Sequence, residues 1–178
     1  MNTKLIFPVL FFSVLLFSGC TKQVVPTPAP NTSNSNSTDT VTTASIVNTE
    51  EAFVKAIASD GTWIIATLKD LSIDKELVLE GDFKNSKGEL QRKIALYEQD
   101  DKHNITKRYT LSAPKLTINS AMASIQHGIF NGDLEVLVAN FELIDTKVNG
   151  NVLFANQEAM SSFKMDGDSA VSGEQKLK

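Results

Sequence analysis

One short pattern constrains this chain more than any other. Phe130-Asn131-Gly132-Asp133-Leu134 returns eighteen residues later as Val148-Asn149-Gly150-Asn151-Val152, and more faintly as Met165-Asp166-Gly167-Asp168. Leu79-Glu80-Gly81-Asp82-Phe83 is an earlier echo. Each copy sets an apolar residue, a polar residue, glycine and a polar residue ahead of a run able to form a strand. A turn recurring at this spacing implies units that stack, because a unit so small cannot bury its own apolar face. In a parallel stack equivalent residues sit about 4.8 Å apart, which places Asn131 over Asn149, Phe130 over Val148 and Leu134 over Val152. The rival reading is local: Asn-Gly also closes antiparallel hairpins.

The rest of the chain after Gly61 is β-rich. Thr62 to Ala66, Leu71 to Ile73, Leu77 to Leu79, Arg92 to Tyr97, Ile105 to Leu111 and Leu116 to Ile118 are short apolar or β-branched pieces between turn residues. Leu134 to Val138, Phe141 to Ile144 and Val148 to Phe154 continue the series. Amphipathic helices do not intervene, which excludes a Rossmann-type alternation. The one helix expected spans 49–59. Asn48 is placed to cap it with Glu51 in capping-box spacing, and Asp60-Gly61 ends it. Its apolar stripe, Phe53, Val54, Ile57 and Ala58, predicts a plug for the open end of a stack, with Phe53 and Ile57 in the core.

The expected fold is therefore mainly β: a short, single-stranded, right-handed parallel β-helix, or solenoid, with an N-terminal capping helix. An antiparallel sheet or sandwich is the alternative. The first of these resembles the small parallel β-helices of bacterial surface proteins and the pectate-lyase-like folds. That resemblance implies glycan binding or polysaccharide cleavage as one class of function.

The first nineteen residues read differently: Lys4 precedes an apolar run from Leu5 to Phe17. A membrane-spanning helix needs about 20 apolar residues, so this stretch has the length of a secretory signal instead. It ends in Leu16-Phe17-Ser18-Gly19-Cys20, small residues ahead of the sole cysteine. Ser18, Gly19 and Cys20 resemble the lipobox of bacterial lipoproteins, with Phe17 where that family prefers leucine. The resemblance implies cleavage before Cys20, diacylglycerol on its thiol, and an exported protein anchored to the bacterial cell membrane and facing outward. Two or more acyl chains, each gaining about 0.8 kcal/mol per buried methylene, hold such a protein durably. From residue 20 to 47 the chain is rich in Pro, Ser, Thr and Asn. That composition predicts a disordered tether, leaving 48–178 as the β-rich domain.

Charge and chemistry narrow the function. A net charge of -4 and only two arginines, Arg92 and Arg108, argue against a nucleic-acid partner. One cysteine and two histidines, His103 and His127, offer no clustered metal spacing, and no cofactor is expected. Ser112, Ser120 and Ser124 stand in no nucleophile-elbow motif. Asp133, Asn151 and Asp168 follow turn glycines and are candidates to line one edge and present oxygens to a hard cation; solvated turn acids are the plainer reading. Trp63 reads as core rather than a sugar platform. The chain is thus read as a non-enzymatic surface lipoprotein that binds a glycan or an envelope protein. A carbohydrate-binding or lyase-like protein is the alternative.

Overall fold

The computed structural model describes residues 44–178. The chain runs through β1 (Ala44–Ile46), α1 (Glu50–Ile57), β2 (Ile64–Ala66), β3 (Leu71–Ser72), β4 (Leu77–Glu80) and β5 (Arg92–Ala95). A ribbon of β6 (Tyr97–Gln99) and β7 (Ile105–Arg108) follows, then β8 (Thr110–Asn119), β9 (Ala123–Gln126) and β10 (Ile129–Val136). The last part comprises β11 (Glu142–Ile144), β12 (Lys147–Asn149), β13 (Val152–Phe154), α2 (Gln157–Ser162), β14 (Lys164–Met165), β15 (Ala170–Val171) and β16 (Gln175–Leu177).

Apart from the β6-β7 ribbon, the chain passes back and forth between two sheets. One has the order β1-β2-β5-β9-β11-β14; the other joins β3 and β4 to β8, β8 to β10, and β10 to β12 and β13, with β15 and β16 beyond. Every pairing within these two sheets is parallel, as expected where the chain leaves a sheet and re-enters it in the same direction. Both sheets feed one apolar core. Ile65, Ile94, Ile125 and Leu143 form a register row in the first sheet. Leu71, Leu111, Phe130 and Val148 form one in the second, and Leu79, Ile118, Val136 and Phe154 another. Like residues thus stack on like, each row excluding water along the sheet.

These ladders correct the expected architecture. The strands lie in two separate parallel sheets and an antiparallel β6-β7 ribbon, and no ladder joins the sheets into a closed coil. The right-handed parallel β-helix solenoid is therefore not shown. The arrangement is sandwich-like, with parallel ladders where the alternative expected antiparallel ones. The physical reason lies in what the repeat specifies, which is register within one sheet. Phe130 pairs with Val148, Asn131 with Asn149 and Leu134 with Val152, all in parallel. Yet Asn131-Gly132 turns no corner. It lies inside β10, where pairing with β8 slips between Asn131 and Asp133. Asn149 ends β12, and Gly150 opens the two-residue gap before β13.

Glycine is required there by a close approach of backbones. Gly132 has φ +141°, and a Cβ on it would fall 1.9 Å from the carbonyl oxygen of Ala113. A Cβ on Gly150 would fall 2.0 Å from the Gly132 oxygen. The next member is Gly173, whose N–H donates to Gly150 O at 3.0 Å. The expected third copy is misplaced. Asp166-Gly167 stands between β14 and β15, where a Cβ on Gly167 meets open space. Insertion of α2 lengthens the interval and breaks the period. Gly81 belongs to another stack, its carbonyl accepting from the Ser120 hydroxyl at 2.5 Å.

The helix also differs in detail. Thr49 caps α1, accepting from Ala52 N at 3.2 Å, whereas Asn48 accepts from Leu68 N at 2.9 Å. Phe53 and Ile57 are buried in the core, and α1 packs against β2 and β4. Its C-terminal carbonyls meet Arg92, which is fully buried. The guanidinium donates to Ala56 O at 2.8 Å, Ala58 O at 3.1 Å and Glu80 O at 2.8 Å, and lies 3.7 Å from the Phe83 ring centre. Burial pulls its pKa down to about 10, which leaves it charged at neutral pH. A cation at a helix C-terminus satisfies carbonyls that lack intrahelical partners and opposes the helix dipole.

The ordered sheet begins inside the segment read as tether, because β1 pairs with β2 and Val47 is buried. Cys20 lies outside the described residues.

The glycine stack predicts a graded outcome. Gly132→Ala and Gly150→Ala should each cost more than about 2 kcal/mol, since backbone must move, while Gly167→Ala should stay within about 0.5 kcal/mol. Chemical denaturation of the three variants checks this. Equal effects would show that the strands are not that close.

Candidate functional site

The corners between the sheets are built by residues other than the Asn-Gly pairs. His127-Gly128 connects β9 to β10, and Asp145-Thr146 connects β11 to β12. His127 and Asp145 have φ of 58° and 46°, the left-handed region that His and Asp tolerate better than most side chains. The corners stack as the strands do: His127 N donates to Ile144 O at 2.9 Å and Lys147 N to Gly128 O at 2.9 Å. Equivalent positions thereby bring two side chains together, and His127 Nδ1 lies 3.1 Å from Asp145 Oδ2.

Further contacts fix this pair. Arg108 Nη1 reaches the same Asp145 oxygen at 2.5 Å. The Asp145 N–H donates to both carboxylate oxygens of Asp166 at 3.0 Å. Ser169 donates its hydroxyl to Asp166 at 2.6 Å and accepts from Thr146 N at 3.0 Å. The Tyr97 ring meets the imidazole edge-on, centroids 4.6 Å apart. Tyr97 and Arg108 both come from the β6-β7 ribbon. Its turn is tied by Asp100 Oδ1, which accepts from Lys102 N at 2.9 Å and Asn104 N at 2.8 Å.

Beside these groups opens a cleft of about 220 Å³, lined by Arg108, Tyr109 and Thr110, by Gly128 and Ile129, and by Asp145 and Lys147. Burial pushes the Asp145 carboxyl up, but the bonds and charges of His127 and Arg108 outweigh it and hold the group below the usual carboxylate range. With Nδ1 engaged by Asp145, the ring's other polar atom is Nε2. Tyr109 donates to Glu98, and Lys107 lies 5.4 Å from the Tyr109 ring centre. The arrangement suits recognition of a small polar ligand: oriented donors, one apolar wall and a carboxylate that positions them.

The other residues singled out in the sequence fall elsewhere. Asn149 Nδ2 donates to Asn131 Oδ1 at 2.8 Å, and Asn131 Nδ2 to Ser112 Oγ at 3.1 Å. That amide ladder is exposed at Asn149. Asp133 Oδ1 accepts from both nitrogens of Asn151, at 2.8 and 3.0 Å, and Asp168 lies outside this row, its carbonyl accepting from Lys147 Nζ. Ser120 is tied to Gly81, and Ser124 accepts from Gln126 Nε2 at 3.0 Å. His103 sits in the ribbon turn with φ 63°, and Trp63 packs half-buried on a small cluster of Ile64, Ala66, Ala95 and Tyr97 outside the main core. The His127–Asp145 pair was missed in the sequence. The signal existed: they are eighteen residues apart, the interval of Asn131 and Asn149.

Among the described residues no three His, Cys, Asp or Glu side chains gather to hold a metal ion, and no helix is long and apolar enough to cross a membrane. Compared with protein-family models, curated proteins and solved structures, the chain has no significant match.

The Asp145 contacts make a pH prediction. Its folded pKa lies below the unfolded value, so its stabilisation is complete above about pH 4 and is lost as pH falls through the folded pKa. Asp145→Asn should cost about 1 kcal/mol at pH 7, and the gap to wild type should close in acid. Urea melts across that range measure it. A gap independent of pH would show that the carboxylate charge contributes nothing.

Proposed function

We propose that the chain is an exported lipoprotein that displays its parallel-sheet unit at the bacterial cell membrane, where it binds a partner or an envelope component. The observation that carries this reading is Cys20, the sole cysteine, directly after Ser18-Gly19 and an apolar run of secretory length. Support also comes from the polar, Pro-containing stretch that separates Cys20 from the first strand, a composition suited to holding a folded unit off the bilayer. The corner cleft and its ordered side chains favour recognition as the task of the displayed unit. The lyase-like alternative is not carried forward, because it rested on the β-helix resemblance.

Intact mass of membrane-extracted protein should begin at Cys20 and carry the acyl increment. Cys20→Ala should lose that increment and leave the membrane fraction. A mature protein that starts elsewhere and needs no detergent contradicts the proposal.

A further inference from the structure

We propose that two copies of this chain join end to end through the outer edge of β16, which pairs antiparallel with the same strand of the second copy. The inference goes beyond the anchored-module reading and does not need the anchor, so the mass measurement above and the association measurement below fail independently.

The core runs out at an open edge. Among the described residues β14, β15 and β16 are the outermost strands of their sheets, each with a neighbour on one side only. Met165 follows Leu143 and Leu177 follows Phe154 in the core rows, yet they are 41% and 44% exposed. The first strands differ, because α1 lays Phe53 and Ile57 into that end of the core. Stacking first end on last end would build a fibre, and α1 stands in its way; an end that meets its own kind closes as a dimer. Charge permits that meeting. In the segment 164–178, Lys164, Lys176 and Lys178 balance Asp166, Asp168 and Glu174, so two such ends do not repel, although the chain carries a net charge of -4.

The order of residues selects the occupant, because Gly173-Glu174-Gln175-Lys176-Leu177 is complementary to itself. Gln175 is in register with Val152 of β13. Glu174 O accepts from Val152 N at 2.8 Å and Lys178 N donates to Phe154 O at 2.9 Å, so the even-numbered residues bond inward. In a parallel ladder the intervening residues turn their N–H and C=O groups the other way, so those of Gln175 and Leu177 face the open edge. A two-fold axis at Gln175 lets it exchange both backbone bonds with its own copy. The flanking positions then form non-hydrogen-bonded pairs, about 4.5 Å apart at Cα, with Glu174 opposite Lys176 of the second copy and the reverse. Leu177 falls opposite Gly173, where no side chain competes for space. Glu174 and Lys176 already pair within one strand, both exposed, and the second copy turns that pair into a ring of four alternating charges. An unrelated strand would have to carry this order of charges; a second copy supplies it by symmetry.

Native mass spectrometry of the full chain, released from detergent at a series of concentrations, reads the association state. A dimer should appear with a Kd of about 100 μM or tighter. Glu174→Lys and Lys176→Glu should each weaken self-association at least about tenfold, because like charges then face each other across the axis. Mixed, with one variant isotopically labelled, the two should form the heterodimer, since every opposed pair again has opposite signs. A misfolded variant could not restore pairing in this way. Gln175→Pro removes an N–H that β13 does not use, and should abolish the dimer. A wild-type chain that stays monomeric, a different protein in the place of the second copy, variants that dimerise as wild type does, or a mixture without the heterodimer would each overturn the proposal.

Discussion

The parallel register at Gly132 and Gly150 is the constraint on which the rest depends. At these positions neighbouring backbones come so close that a carbonyl oxygen occupies the space of a Cβ. Such an approach fixes which residue lies beside which, since a slip by one residue would set a side chain against that oxygen and turn the apolar face outward. Once register is fixed, Phe130 stacks on Val148 and Val136 on Phe154, and the core closes without alternatives. The same register carries through to the corners. His127 meets Asp145 because their strands are locked in step.

Parallel strands have unpaired edges and open apolar ends, and this chain covers them unevenly. At the first strands, α1 lays Phe53, Ala56 and Ile57 into the core, and Arg92 binds the helix's last carbonyls to the end of β4. A buried guanidinium is costly unless its donors are used; here Nη1 and Nη2 make three bonds to backbone carbonyls, while the buried Nε makes none. Later in the chain α2 does a smaller version of this work. Asn156 caps it, accepting from Ala159 N at 2.8 Å, and Phe163 after it packs on Phe141 and Phe154. Met165 and Leu177, on the outermost strands, stay partly exposed.

Much of this was legible in the sequence, and the limits are physical. Residue pairing was readable because stacking demands like residues at like intervals, which Phe130 and Val148 supply. Closure was not readable, because Asn-Gly serves a bulge, a gap or a corner equally well. Gly173 escaped notice because α2 shifts its spacing, and a helix as short as Gln157–Ser162 leaves almost no periodic trace. The cap of α1 moved by one residue because Asn48 found a longer-range partner in Leu68. Arg108 was visible only as one of two arginines. Its meeting with Asp145 depends on the antiparallel pairing of β6 with β7, two segments that lie outside the repeat.

The central claim is the parallel order of β10 against β12 and β13, and interstrand nuclear Overhauser contacts test it most directly. The account predicts contacts between Phe130 and Val148 and between Leu134 and Val152, in the same order along both segments. Contacts in the reversed order, Phe130 with Val152 and Leu134 with Val148, would mean that Gly132 or Gly150 closes an antiparallel hairpin, and would contradict it.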